Sequence, residues 1–171
     1  MSYSVLVSLL YLLLSLDNYT YEKKGTRNIN STTAGGERVK VSLAFTATAS
    51  GRKLPILIIL PRKNPLKQFE CPENVVIIYK GKSKTFDGNV IKNSFVSQIM
   101  RPYMLSRGKR RVVLHLDNSR VHKKADVLKC FRDNSIEPSF FPPRMTSLLQ
   151  PADVGWFRSL KAQYHKKWQN W

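Results

Sequence analysis

Apolar and polar positions divide the first half of the chain into short segments with different periods. Residues alternate from Arg38 to Thr48, and a second apolar run extends from Leu54 to Leu60. The turn-forming pair Ser50-Gly51 separates them, so the pattern predicts a β-hairpin. Residues 75–79 form a shorter apolar run, which predicts an edge strand.

The second half of the chain alternates between helical and strand patterns. Apolar residues recur at helical spacing over 89–105, where Pro102 is expected to kink or end the helix. Further helices are predicted over 123–134 and about 152–170, with a short strand at 139–141 between them. Helices that alternate with strands after an initial hairpin are typical of an α/β domain.

A strand followed at once by an acid lies between the first two predicted helices. The stretch Arg110–Lys124 has the sequence RRVVLHLDNSRVHKK, in which Val112–Leu116 predicts a buried strand. The strand ends at Asp117 and the turn formers after it. An acid at the carboxyl end of a buried strand is rigidly held and faces open space, which favours a role in chemistry. The alternative is that Asp117 only begins a turn or caps the next helix.

A second acid, Asp153, follows Pro151 at the predicted start of the last helix. Proline in the first turn and an acid near a helix N-terminus are ordinary helix signals, so Asp153 alone also has a purely structural explanation.

Taken together, the two acid-bearing stretches resemble the DDE superfamily of transposases, in particular the pogo/Tigger-like branch and the host proteins derived from it. The similar motifs are LHLDNSRVH (114–122), PPRMTSLLQPADVGWF (142–157) and SLK (159–161), with weaker similarity over 19–30 and 38–59. The resemblance implies a ribonuclease H-like α/β fold, a mixed sheet flanked by helices. It also implies cleavage of phosphodiester bonds.

In the family that the chain resembles, the positions of Asp117 and Asp153 are the second and third metal-binding acids. Two divalent cations can activate water and stabilise a leaving oxygen, and Mg²⁺ or Mn²⁺ is the implied cofactor. Asn118, His122 and Gln150 belong to the same motifs and are expected to support the acids. The candidate phosphate contacts are basic residues near these motifs, although those on the last helix could simply be solvated: Arg110, Arg111, Lys123, Lys124, Arg158 and Lys161.

The first acid of the family, expected on the first core strand, has no counterpart here. Residues 5–16 are almost wholly apolar and contain no acid. Asp17 is the only nearby candidate for this role, although its neighbours Leu16 and Asn18 do not reproduce the run of the family. We therefore expect residues 1–18 to be an atypical apolar segment and 19–171 to be an incomplete, N-terminally truncated DDE-like domain whose first core strand is lost or replaced. A strand or helix buried against the core is the simpler alternative for this segment. A signal peptide would need a basic start, and a membrane span would need about 20 apolar residues.

Charge indicates the partner. The chain has 29 basic and 11 acidic residues, a net charge of +18, and 42% hydrophobic residues. A folded domain with such an excess favours nucleic acid, most simply DNA, over a small-molecule substrate or a membrane surface. Cys71 and Cys130 are far apart and match no disulfide or metal pattern, which is typical of a reducing compartment. The nucleus is the expected location.

Three hypotheses follow. The first is a transposase-derived DDE endonuclease domain, weak or inactive because one acid is missing. The second is a non-catalytic DNA-binding remnant of such a domain. The third, led by residues 1–16, is a membrane-associated or secreted basic protein.

Overall fold

The computed structural model of the chain describes residues 3–5, 12–14, 41–83, 85–142 and 157–169. Its strands are β1 (Tyr3–Val5), β2 (Leu12–Leu14), β3 (Val41–Ala44), β4 (Ile56–Leu60), β5 (Val75–Tyr79), β6 (Val112–Leu116) and β7 (Ile136–Phe140). Its helices are α1 (Gly88–Val90), a π-helical segment (Ile91–Met100), α2 (Arg101–Ser106), α3 (Ala125–Asp133) and α4 (Phe157–Gln169).

The strands form two sheets. One has the order β1-β6-β7 and is entirely parallel, and the other has the order β2-β3-β4-β5. Strands β3 and β4 are antiparallel, as the hairpin prediction requires, and β5 lies at the edge beside β4. The apolar N-terminal segment contributes a strand to each sheet, with β1 parallel to β6 and β2 antiparallel to β3.

The helical stretch before β6 is continuous from Gly88 to Ser106. Asp87 caps its start, since Oδ1 of Asp87 accepts a hydrogen bond from the Val90 N–H at 3.0 Å. Pro102 does not end the helix. It lies in the first turn of α2, directly after the π-helical segment, and the helix continues through it to Ser106. The prediction of a helix here is confirmed, while Pro102 marks a change of helical type.

The hydrophobic core lies between this helical stretch and both sheets. Alternate residues of β6, Val112, Leu114 and Leu116, are fully buried and pack in one cluster with Phe95 of the π-helical segment and Phe131 of α3. Burying several such side chains stabilises the fold by about 2 kcal/mol each. This packing holds β6 rigidly, and β6 in turn positions the residues at its two ends.

Strand β7 begins at Ile136, three residues before the predicted strand. The pattern missed this start because Pro138 interrupts the sequence and Ser135 adopts a positive φ of 57°. Proline removes a backbone donor, but β7 is the edge strand of its sheet, where that donor is not needed. The parallel register pairs Leu116 with Phe140, so the carboxyl ends of β6 and β7 lie side by side.

Candidate active site

Asp117 follows β6 directly and lies at the carboxyl edge of the parallel sheet. The chain then makes consecutive turns, in which the His122 N–H donates to the Ser119 carbonyl at 3.2 Å and the Lys123 N–H donates to the Arg120 carbonyl at 3.3 Å. These turns bring residues 117–124 back over the end of the strand before α3 begins at Ala125. The edge therefore carries Asp117, Asn118, His122, Lys123 and Lys124, which are the candidate residues of the stretch after β6.

The side chains of Asp117 and His122 form a close pair. Nδ1 of His122 lies 2.7 Å from Oδ1 of Asp117, and the imidazole is completely buried while the carboxylate is 16% exposed. Nδ1 must carry a proton that it donates, because an ionised carboxylate only accepts hydrogen bonds. The Ser119 N–H also donates to Oδ1, at 3.1 Å. Within the described part of the chain both side-chain contacts of Asp117 use Oδ1, so Oδ2 remains available to a ligand.

Asn118 supplies a second oxygen at this edge. Its Oδ1 is buried and has no hydrogen-bond partner among the described residues. A buried polar atom left without a partner costs about 1–3 kcal/mol, so native proteins usually satisfy it with water, an ion or a ligand. The amide oxygen of asparagine is one of the ligands that hard divalent cations accept.

Positive charge borders the same edge. Lys123 and Lys124 are exposed, and Nζ of Lys123 lies 5.3 Å from the ring centre of Phe140 at the end of β7. A cation–π contact of this kind orients the ammonium group without neutralising it. His115 and Phe141 stack nearby, with ring centres 6.1 Å apart. The edge thus presents one carboxylate, one amide oxygen and two lysines, which suits a phosphate held beside a cation.

Arg110 and Arg111 lie at the other end of β6. Arg111 precedes the strand and Asp117 follows it, so at about 3.3 Å per residue they are separated by roughly 20 Å. Arg111 pairs with Glu137, with Nη2 and Oε2 2.7 Å apart, and both side chains are more than half exposed. The two arginines therefore cannot contact a phosphate that lies at Asp117, although sequence proximity placed them in one motif.

The remaining candidates are only partly described. Asp153 and Gln150 lie outside the described residues, as does Asp17. Arg158 and Lys161 belong to α4, but their side chains lie outside the described part. The roles assigned to all these residues stay predictions. Among the described residues, no group of three or more histidines, cysteines or acids could hold a metal ion.

The donors at the carboxyl edge nevertheless fit a divalent cation. Oδ2 of Asp117 and the unsatisfied Oδ1 of Asn118 are hard oxygen ligands from adjacent residues, and His122 fixes the carboxylate in place. A cation held by one charged ligand binds weakly, so a further acid is needed. Asp153 is the candidate that the resemblance supplies.

Sequence reasoning missed several basic residues that join Arg110 and Arg111 at the amino end of β6. Arg107, Arg132 and Arg52 line concave surfaces there. One signal was present in the sequence, the basic turn 106–111. The sequence could not show that Arg52 and Arg132, from other elements, lie beside this turn.

Comparison with known proteins agrees with this architecture. Mos1 transposase, in a paired-end complex with the left transposon end, matches with a TM-score of 0.57 at 14% identity. The Mos1 mariner paired-end complex with Mn gives the same score and identity, and the Mos1 strand transfer complex gives 0.52. The first match covers 96% of this chain but only 46% of the Mos1 chain. The shared fold is the mixed α/β, ribonuclease H-like one.

Among the described residues, no helix is both long and apolar enough to cross a membrane.

A family model described as DDE superfamily endonuclease matches residues 37–171, which include both acid-bearing motifs and most of the chain. The chain therefore belongs to the DDE superfamily endonuclease family.

Proposed function

We propose that this chain is a pogo/Tigger-like, transposase-derived domain that binds DNA in the nucleus and holds an incomplete site for Mg²⁺ or Mn²⁺ at the carboxyl edge of β6. Cleavage of DNA by this site is metal-dependent and slow. The observation that supports it best is the buried Asp117–His122 pair beside the unsatisfied Asn118 oxygen.

Each described residue has a separate part in this proposal. His122 holds the Asp117 carboxylate through Oδ1, which leaves Oδ2 for the cation. Asn118 adds a neutral oxygen, and Asp153 supplies the second charge. When bound, a divalent cation supplies the charge that activates the attacking water and stabilises the departing oxygen. Lys123 and Lys124 hold the phosphate backbone at the same edge.

The DNA partner rests on two independent supports. The net charge of +18 favours a polyanion, and the similar Mos1 structures contain a transposon end, one of them with Mn. The assignment to the pogo/Tigger branch rests on the motifs at 114–122 and 142–157, and the nuclear location follows from a DNA substrate.

The slow rate follows from the missing acid. Residues 5–16 contain no aspartate or glutamate, and Asp17, the only nearby acid, does not reproduce the run of the family. In this proposal the site therefore has two of the three carboxylates of the family. Each absent carboxylate removes a charged ligand and weakens the hold on the cation. The same observation favours the second candidate function, a DNA-binding remnant without catalysis.

Nicking of supercoiled plasmid by the purified chain in Mg²⁺ or Mn²⁺ separates the two. Asp117→Asn is the test variant, because asparagine can still accept the hydrogen bonds of His122 and Ser119 while losing the charge. Asp133→Asn is the matched control, since Asp133 is an exposed acid on α3 that pairs with Lys129.

We expect slow nicking that needs the metal, that disappears in Asp117→Asn and that persists in Asp133→Asn. DNA binding without nicking in all three proteins would establish the remnant. Nicking by Asp117→Asn at the rate of the unmodified chain would contradict the metal site.

A further inference from the structure

A second basic surface lies at the amino end of β6, opposite Asp117. We call it the basic edge and define it by six residues from three parts of the chain. Arg52 belongs to the turn between β3 and β4, Arg132 to the last turn of α3, and the other four to the connection between α2 and β6. The six residues are Arg52, Arg107, Lys109, Arg110, Arg111 and Arg132.

The basic edge is concave. One hollow of about 270 Å³ is lined by Arg52, Arg107 and Lys109 together with Tyr103. A second, of about 530 Å³, is lined by Arg110, Arg111 and Arg132 together with Ser135. The connection 107–111 supplies Arg107 and Lys109 to the first hollow and Arg110 and Arg111 to the second, so it joins the two.

The backbone holds the turn between α2 and β6 in one conformation. Gly108 has a φ of 58°, its N–H donates to the Leu105 carbonyl at 3.1 Å, and the Lys109 N–H donates to the Met104 carbonyl at 2.8 Å. This hydrogen-bond pattern, with glycine in the left-handed conformation, is a Schellman motif. Arg107 and Lys109 are therefore presented on a rigid turn, which reduces the entropy lost when a ligand binds.

The elements on either side are fixed in the same manner. At the end of α3, Ser135 adopts a positive φ and its N–H donates to the Arg132 carbonyl at 3.0 Å. In the β3–β4 turn, the Arg52 N–H donates to Oγ1 of Thr48 at 3.0 Å. The backbones of Arg52 and Arg132 are thus each anchored by a hydrogen bond.

Charge and chemistry indicate a phosphate ligand. Among the described residues that line the two hollows, Glu137 is the single carboxylate, and it pairs with Arg111. Five of the six cations are arginines, whose planar guanidinium groups bind phosphate through paired hydrogen bonds. The carboxyl ends of α2 and α3 lie nearby and also favour cations, but each helix end contributes only about half a negative charge. That cannot balance this cluster.

We infer that the basic edge binds the phosphate backbone of a second stretch of duplex DNA, separate from the stretch at Asp117. This inference rests on the proposed function only in taking DNA as the ligand. The two ends of β6 are roughly 20 Å apart and face opposite directions. Because the edges face opposite directions, a duplex bound across one edge would have to bend around the domain to reach the other, and duplex DNA is stiff over about 150 base pairs.

The test counts short duplexes bound per chain. A duplex of one helical turn, about 10 base pairs, occupies one edge at a time. Sedimentation at low salt measures how many bind to the full chain, to Arg107→Gln/Arg110→Gln/Arg132→Gln and to the control Arg62→Gln/Lys63→Gln/Lys67→Gln. The control loses the same charge from exposed positions outside both hollows.

We expect two duplexes on the unmodified chain and on the control, and one on the basic-edge variant. The variant should also lose about 2.7 from the slope of log K against log salt, which corresponds to three phosphate contacts. Equal losses in both triple variants, or an unchanged count in the basic-edge variant, would overturn the inference.

A further variant keeps this result separate from the proposed function. If Lys123→Gln/Lys124→Gln still binds two duplexes, DNA binding through these lysines at the Asp117 edge fails while the basic edge stands. Vesicles of phosphatidylcholine and phosphatidylserine test the lipid alternative. Vesicle binding that only the basic-edge variant loses, with its duplex count unchanged, would assign the surface to membranes instead.

Discussion

The two ends of β6 differ in how they hold charge. At the carboxyl end, the buried imidazole of His122 holds Asp117 in a fixed position, and the exposed Lys123 and Lys124 follow it in the chain. At the amino end, many exposed arginines surround one carboxylate, Glu137. Burial makes the Asp117–His122 pair costly to break, because the partner left unpaired has neither its hydrogen bond nor hydration by water, which lowers the stability of the fold. The exposed arginines at the amino end tolerate single substitutions, because the attraction for an anion is the sum over many charges.

Removal of the buried imidazole should have the largest effect. His122→Ala leaves a cavity and an unpaired Asp117, so we expect a loss of about 3 kcal/mol in the free energy of unfolding. Urea denaturation measures it, with Arg132→Ala as the comparison at the basic edge, where an exposed side chain should cost less than about 0.5 kcal/mol. If both variants lose the same free energy of unfolding, burial does not make the His122 edge more sensitive than the basic edge.

The turn that carries Arg107 and Lys109 should be the most sensitive point of the amino end. Gly108→Ala places a Cβ at a φ of 58°, which should cost about 1 kcal/mol in unfolding free energy. Gly108→Asn should cost less, since asparagine tolerates the left-handed conformation. Nothing lies within 4 Å of a Cβ built at this position, so a clash cannot explain the loss. If alanine and asparagine cost the same, the backbone conformation is not the cause.

Removal of the acid from the basic edge should improve DNA binding. Glu137→Gln releases Arg111 from its ion pair and makes the surface more positive, so we expect a few-fold higher affinity at low salt that fades as salt screens the charges. Fluorescence anisotropy with a short duplex measures it. Asp133→Asn changes the charge equally on α3, and an identical gain there would show that net charge alone is responsible.

A low pH should weaken contacts that depend on an ionised carboxylate and leave contacts made by arginine unchanged. The pKa of Asp87 lies below its ordinary value of 3.8, because burial, which raises it, is outweighed by the Lys80 ammonium and the Val90 N–H, which lower it. A depressed pKa adds stability above the unfolded value, and that stability is lost as the pH falls below about 3.8. Asp87 is partly exposed, so we expect the effect to be a few tenths of a kcal/mol.

Urea midpoints between pH 5 and about pH 3 should therefore fall less steeply for Asp87→Asn than for the unmodified chain. The substitution of Arg132 by Ala should leave the slope unchanged, since arginine stays charged over this range. If the urea midpoints of all three proteins fall in parallel with pH, Asp87 does not cause the acid sensitivity.

Some features of the fold follow from local pattern. The sequence pattern predicted three of them: the buried run at 112–116, the hairpin of β3 and β4, and the helix before β6. Each is visible because the apolar residues of a strand or a helix recur with a period of two or of 3.6 along the chain. Others depend on neighbours. Ile136 begins β7 despite Pro138 because β7 lies at a sheet edge, and Pro102 is tolerated because one type of helix changes to another there.

The sequence by itself determined the family, the strand that carries Asp117 and the excess of positive charge, because motifs, periodicity and composition are local or summed properties. Only the tertiary structure decided which charges act together. It buried His122 against Asp117, and it brought Arg52 and Arg132 to the turn at Arg107 from distant parts of the chain. Arg110 and Arg111 precede β6 and Asp117 follows it, so the length of the strand separates them. Electrostatic and metal-binding sites depend on distances in space, and these are set by strand direction and packing.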